Sequence, residues 1–157
     1  MKSDGETLST NEGYLLIFSD RAWVGTDRDE DPILELSYRS SPTSLNLHKA
    51  FFVNNEKMHL LKVQTGSYFL THAFFGFDQL EFSKPISFKI IPGSITYIGH
   101  FNGQVTWPKI GLLSDRRLKI ENAISDAEAK LRKRFPLTAK KHPLLNQTMN
   151  VVLANEF

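Results

Sequence analysis

Asp27, Asp29 and Asp31 stand at alternate positions in the stretch TDRDEDP. Carboxylates at the first, third and fifth positions open a calcium-binding loop, because oxygens at that spacing converge on one hard cation. Such a loop then needs glycine at its sixth position and a bidentate glutamate at its twelfth. Pro32 and Tyr38 stand there instead, so the run reads as a solvated acidic loop and a candidate contact with another protein. The histidines are His48, His59, His72, His100 and His142, and none pairs with another at i, i+2 or i, i+4. His59, His72 and His100 fall on three separate predicted strands. Zinc would need them to converge, and lone strand histidines read better as hydrogen-bonded or surface groups. Glu35, Glu56, Asp78, Glu81 and Asp115 could supply carboxylates for proton transfer, but each lies near a turn or on a polar strand face. Phosphate-cradling glycine loops, H-E-x-x-H and G-x-S-x-G do not occur. No catalytic residue, metal ligand or cofactor is assigned, and the chain is expected not to be an enzyme.

The elements that would position any site are mostly strands. At 157 residues, the chain fits one domain able to bury a core without metals or disulfides. It has no cysteine, which removes disulfides, thiolate ligands and a thiol nucleophile together. Phenylalanine is abundant, at 12 residues against two tryptophans, and aromatic residues suit strands and the space between sheets. Phe51, Phe52, Tyr68, Phe69, Phe74, Phe75 and Phe77 lack the interleaved cations of a nucleic-acid-binding sheet, so packing is their expected use and no nucleic-acid partner is expected.

YLLIF, at 14–18, reads as a buried strand, followed by a turn-rich connection closed by Pro32. ILELSYR alternates with period two, and LHKAFFV, KMHLLKV and SYFLTHAFF follow as further strands between turns. In KPISFKIIPGSITYIGHF, Pro92-Gly93 has the residues of a type II turn and predicts a hairpin. Asn102-Gly103 predicts a second one. QVTWP and RRLKIEN supply the last strands. SDAE, from Ser125 to Glu128, has the form of a capping box and predicts a helix that Pro136 stops. TMNVVLA fits a strand or a short helix equally.

The fold expected is therefore mainly β: an antiparallel β-sandwich of about seven to eight strands with one C-terminal α-helix packed against it. The expected organisation is a flexible lead over 1–12, the sandwich with its helix over 13–136, and a weakly structured tail over 137–157. The formal net charge is only +2, but six cations and no acid fall between Lys130 and Lys141. That basic end is either a solvated helix face and tail or a surface for phosphate, anionic lipid or an acidic partner.

LLKVQTGSYFL and ISFKIIPGSITYIGHF give the stretch from Leu60 to Pro136 a resemblance to a family of small bacterial envelope lipoproteins of unassigned function. The second segment is similar to the family's F-x-[IV]-x-[PA]-G-x-x-Y-[IVL]-G core, met by Phe88, Ile90, Gly93, Tyr97, Ile98 and Gly99, with one residue more than the family's spacing. A helix ending in RFP is similar as well. The resemblance covers about half the chain, rests on structural rather than catalytic residues, and implies a transthyretin-like or carboxypeptidase-regulatory-like β-sandwich. It also implies a place in the periplasm, or membrane-anchored facing it, with a tether through a removed N-terminal lipidated cysteine. The expected partner is another protein, such as a secreted toxin or hydrolase. Expected contacts are Asp27, Asp29 and Asp31 in the acidic loop, Phe75 and Phe77 in the aromatic loop, and Trp107 at a strand edge.

Overall fold

The computed structural model of the chain describes residues 4–24, 34–39, 47–52, 58–75, 78–106, 115–148 and 151–154. Its strands are β1 (Glu12–Val24), β2 (Leu34–Arg39), β3 (Leu47–Phe52), β4 (Met58–Gln64), β5 (Gly66–Phe75), β6 (Asp78–Ile90), β7 (Ile95–Thr106), β8 (Asp115–Glu121), β9 (Leu144–Asn146) and β10 (Val151–Ala154). Two short helices, α1 (Ile124–Arg134) and α2 (Pro136–Lys141), follow β8. One sheet runs β10-β8-β7-β1-β4, with β9 also paired to β7; the other runs β3-β2-β5-β6. The protein is mainly β, as its alternating segments predict. No described helix is long and apolar enough to cross a membrane.

The apolar pattern of each strand reports how many of its faces are covered. In β6, Ile86, Phe88 and Ile90 are buried while Pro85, Ser87 and Lys89 are exposed, the alternation of a sheet with one wet face. β1 has no such alternation from Tyr14 to Phe18, because both of its faces are covered. Leu15 and Ile17 join Leu70, Phe88, Ile98 and Phe101 in a cluster drawn from both sheets. Tyr14, Leu16 and Phe18 point the other way and join Tyr97, Ala127 and Leu131 in a second cluster beneath α1.

The pairing is not wholly antiparallel. β1 runs parallel to β7, and β7 parallel to β9. The chain alternates between the sheets, placing β2 and β3 in the smaller one, β4 beside β1, and β5 and β6 in the smaller one again, before β7 starts alongside the start of β1. The Gly93 N–H donates to the Glu12 carbonyl at 3.0 Å and the Tyr14 N–H to the Ser94 carbonyl at 2.9 Å, pinning the two starts together.

Pro92-Gly93 does form a turn, with Gly93 at φ 69° and the Ser94 N–H donating to the Ile91 carbonyl. It is not the turn of a hairpin, however: β6 and β7 lie in different sheets, and the turn is the corner between them. Gln147 clasps that corner. Its side-chain amide accepts from the Lys89 N–H and donates to the Lys89 carbonyl, each at 2.7 Å, while its own N–H donates to the Tyr97 carbonyl. The Asn102-Gly103 hairpin is likewise corrected. Both residues lie inside β7, opposite Asp20 and Arg21 of β1 and Lys119 and Leu118 of β8. Pairing on both sides overrides a turn preference that is only local. The capping box does not form either: the residue before α1 is Ala123, and no side-chain cap bond is made from it.

β7 carries one irregularity. Leu16 pairs with Tyr97 but Ile17 pairs with Gly99, so Ile98 is an extra residue, and Gly99 takes φ 129°. Such a bulge reverses the phase of the side chains that follow it. A Cβ on Gly99 would sit 2.7 Å from Ile120 Cγ2. Gly99→Ala is expected to lower the unfolding free energy by about 2–4 kcal/mol through backbone strain and overpacking. Urea titration reads this as a lower midpoint at unchanged slope; a midpoint equal to the parent's would show that the bulge does not set the packing.

Candidate functional site

The bulge brings together a connected polar group. Before it, Tyr97 faces the helices; after it, His100 faces them too, three residues on instead of two or four. The Tyr97 hydroxyl and His100 Nδ1 lie 2.5 Å apart, and His100 Nε2 lies 3.1 Å from Asp126 Oδ2 in the first turn of α1. Lys130, one turn further along α1, reaches the same carboxylate oxygen at 2.8 Å. The His100 ring stacks on Phe18 at 4.3 Å with the planes 5° apart, and the Lys130 ammonium sits over the other ring at 5.6 Å from the Phe18 centroid.

A hydroxyl, an imidazole and a carboxylate in sequence are the parts of a nucleophile, its base and the group that orients the base. Here the order of parts does not make a nucleophile. Tyr97 is 0% exposed. Its oxygen accepts the Ala123 N–H at 3.0 Å, an amide at the start of α1 that the missing cap leaves open. Burial pushes the phenol above its ordinary range, with the Ala123 hydrogen bond pulling the other way. The phenol therefore stays protonated, with the Glu121 carbonyl at 3.4 Å and His100 Nδ1 at 2.5 Å around its oxygen, while His100 Nε2 faces Asp126. The Asp126 carboxyl is held below its usual value by the hydrogen bond from Lys130 first, with desolvation opposing and His100 adding to it.

The arrangement is an anchor for the helix. Burying Leu131 against the sheet is worth about 1.5–3 kcal/mol, and Ala127 adds little to an apolar stripe this short. The buried acceptor that Tyr97 gives Ala123 is of similar weight, since an orphaned buried amide costs about 1–3 kcal/mol. Asn122 Oδ1 accepts the Ile124 N–H at 3.2 Å and takes part of the capping role expected of Ser125.

The opposite end of the helical layer is held by the segment before β1. Asp4 accepts the N–H groups of Leu137 and Thr138 at 3.0 and 2.9 Å, and Lys141 donates to the Gly5 carbonyl. Desolvation pushes the Asp4 carboxyl up, but the hydrogen bonds from Thr138 and Leu137 together hold it below its ordinary value. Glu6 and Glu12 both reach Lys62 on β4, at 3.3 and 3.5 Å. The polar lead is thus pinned over residues 4–12. The tail beyond Pro136, weakly patterned in sequence, carries α2, β9 and β10.

A shallow cavity of about 440 Å³ opens between this segment and the Pro92-Gly93 corner, with Glu6, Leu8, Lys141 and His142 in its wall. His142 Nδ1 donates to the Gly93 carbonyl at 2.8 Å, and the ring meets Tyr14 edge-on. Its buried Nε2 has no hydrogen-bond partner among the described residues.

The histidines considered for zinc stay apart in their bonding. His59 lies 3.4 Å from Ser19 Oγ, His72 bonds Thr71 Oγ1, and His100 belongs to the Tyr97 group. Among the described residues, no three His, Asp or Glu side chains are placed to hold a metal ion. Of the expected protein contacts, Asp27, Asp29, Asp31, Phe77 and Trp107 lie outside the described residues. The backbone of Phe75 is described, at the end of β5, opposite Leu34 and Asp78. The Tyr97 group was not legible as a site: Tyr97, His100 and Asp126 are no motif, and only the unusual glycine after Tyr97-Ile98 marks the place where the phase turns.

Comparison of the chain with family models, curated proteins and solved structures finds no match. Tyr97→Phe keeps the ring and removes the acceptor, and is expected to cost about 1–3 kcal/mol. The loss should come with earlier hydrogen exchange at Ala123 and the first turn of α1. Parent-like stability and exchange would mean that the helix is held by its apolar contacts alone.

Proposed function

We propose that this protein is a non-enzymatic, envelope-facing β-sandwich that binds another protein, acting as an accessory lipoprotein or as an immunity-type inhibitor of a secreted toxin or hydrolase. The observation that carries the reading is the use made of Tyr97, His100 and Asp126. These groups are the nearest approach to reactive chemistry among the described residues, and they fasten a helix to a sheet. The sandwich reading is supported by the apolar cluster that β1, β7 and β8 share with β5 and β6. A scaffold packed on both faces of its larger sheet is rigid, and rigid scaffolds present recognition residues on connecting loops at small entropic cost.

On this reading the contacts are the acidic loop with Asp27, Asp29 and Asp31, the aromatic loop with Phe75 and Phe77, and Trp107. Aromatic anchors supply affinity, and the charged rim supplies rate and specificity. Affinity capture from the native host, followed by reconstitution with the purified partner, tests it. Trp107→Ala is expected to weaken the reconstituted complex at least about tenfold, as loss of a hot-spot residue does. Asp29→Lys should slow association more than it speeds release. If both variants bind the partner like the parent, the proposed surface is wrong.

A further inference from the structure

We infer that the face formed by α1 and α2 is a second binding surface, and that it seats on the headgroup layer of an anionic lipid membrane. The charge there is unbalanced in a specific way. Arg132, Lys133 and Arg134 occupy the last turn of α1, and Lys140 and Lys141 the last turn of α2. The acids of α1 are already engaged, Asp126 by Lys130 and His100, and Glu128 by Arg132 at 2.7 Å. Asp4, the acid at the start of α2, accepts two of that helix's amides. Lys133 and Lys140 are exposed and form no ion pair among the described residues.

An exposed apolar residue stands one turn before Lys140 and Lys141 on α2. Leu137 is 55% exposed in the first turn of α2, next to an exposed Pro136, while the helical layer buries Ala127, Leu131 and Thr138 on its other side. The apolar side of α1 is thus committed to the sheet, while Leu137 lies beside Gly5 of the lead and keeps more than half of its surface exposed. A half-exposed leucine one turn before Lys140 and Lys141 fits an interface where the leucine enters the headgroup boundary and the ammonium groups meet phosphates. A headgroup layer takes up both the cations and an exposed leucine in one surface, and an acidic polypeptide is the competing occupant that the test below separates.

Co-sedimentation of the full chain with vesicles tests the assignment. The probes are phosphatidylcholine alone and an equimolar mixture of phosphatidylcholine with phosphatidylglycerol, at low and at high salt. Binding is expected to the mixed vesicles only and to fall steeply with salt. The K133E/K140E variant, both of whose sites are exposed, should partition at least about tenfold more weakly. Leu137→Ser should weaken partition at unchanged charge and unchanged circular dichroism. Equal sedimentation with neutral vesicles, no sedimentation with anionic ones, or full binding by K133E/K140E would overturn the inference. So would tighter binding to soluble poly-glutamate than to the mixed vesicles, which would assign the face to an acidic protein. Because K133E/K140E leaves the acidic and aromatic loops intact, it should still capture the protein partner; the two surfaces therefore stand or fall separately.

Discussion

The parallel contact between β1 and β7 is the constraint on which the rest of the structure depends. It joins the first strand of the chain to the seventh across an entire intervening sheet. Both faces of the pair are buried, so its residues contribute to two apolar clusters at once. Leu15, Ile17, Ile98 and Phe101 close the space against the smaller sheet; Tyr14, Leu16, Phe18 and Tyr97 make the floor on which the helices lie. Burial of each such side chain is worth about 1.5–3 kcal/mol, so the pair holds a large share of what opposes chain entropy.

The polar architecture follows from one defect in that contact. A regular β7 would send Tyr97 and His100 to opposite faces of the sheet. The extra residue at Ile98 turns the second half of the strand over and sets the two side chains on the helical face within hydrogen-bonding reach. Tyr97 then supplies the acceptor that α1 lacks, His100 passes the contact to Asp126, and Asp126 draws in Lys130. The first turn of α1 and buried Leu131 fix the helix, the lead segment fixes α2, and Arg132, Lys133 and Lys140 remain exposed. Structural polarity inside and unbalanced charge outside are thus two ends of one arrangement.

Much of the fold was legible where burial has a simple period. The alternation of Ile86, Phe88 and Ile90 gave β6 its register, and the unbroken YLLIF run marked a strand covered on both sides. Three features were hidden for physical reasons. The continuation of β1 begins with Ser19, Asp20 and Arg21, which do not favour strands, and it is a strand there because β7 pairs with it. Asn102-Gly103 has the composition of a turn but has partners on both sides. The hydrogen bonds from Asp4 to α2 and from Gln147 to β6 cross 133 and 58 positions of sequence, and no local pattern encodes contacts of that span. The acidic and aromatic loops were read from composition alone, and that reading still carries the proposed partner contacts.

Native-state hydrogen exchange of the backbone amides tests the central role of the β1–β7 pair most directly. The account predicts that amides from Leu15 to Phe18 and from Thr96 to Phe101 exchange only through global unfolding, with the free energy found by urea titration. It predicts that α1, α2 and the outer strands open first. Exchange of the β1 and β7 amides through a lower-energy opening, while the helices or β6 stay protected, would contradict it.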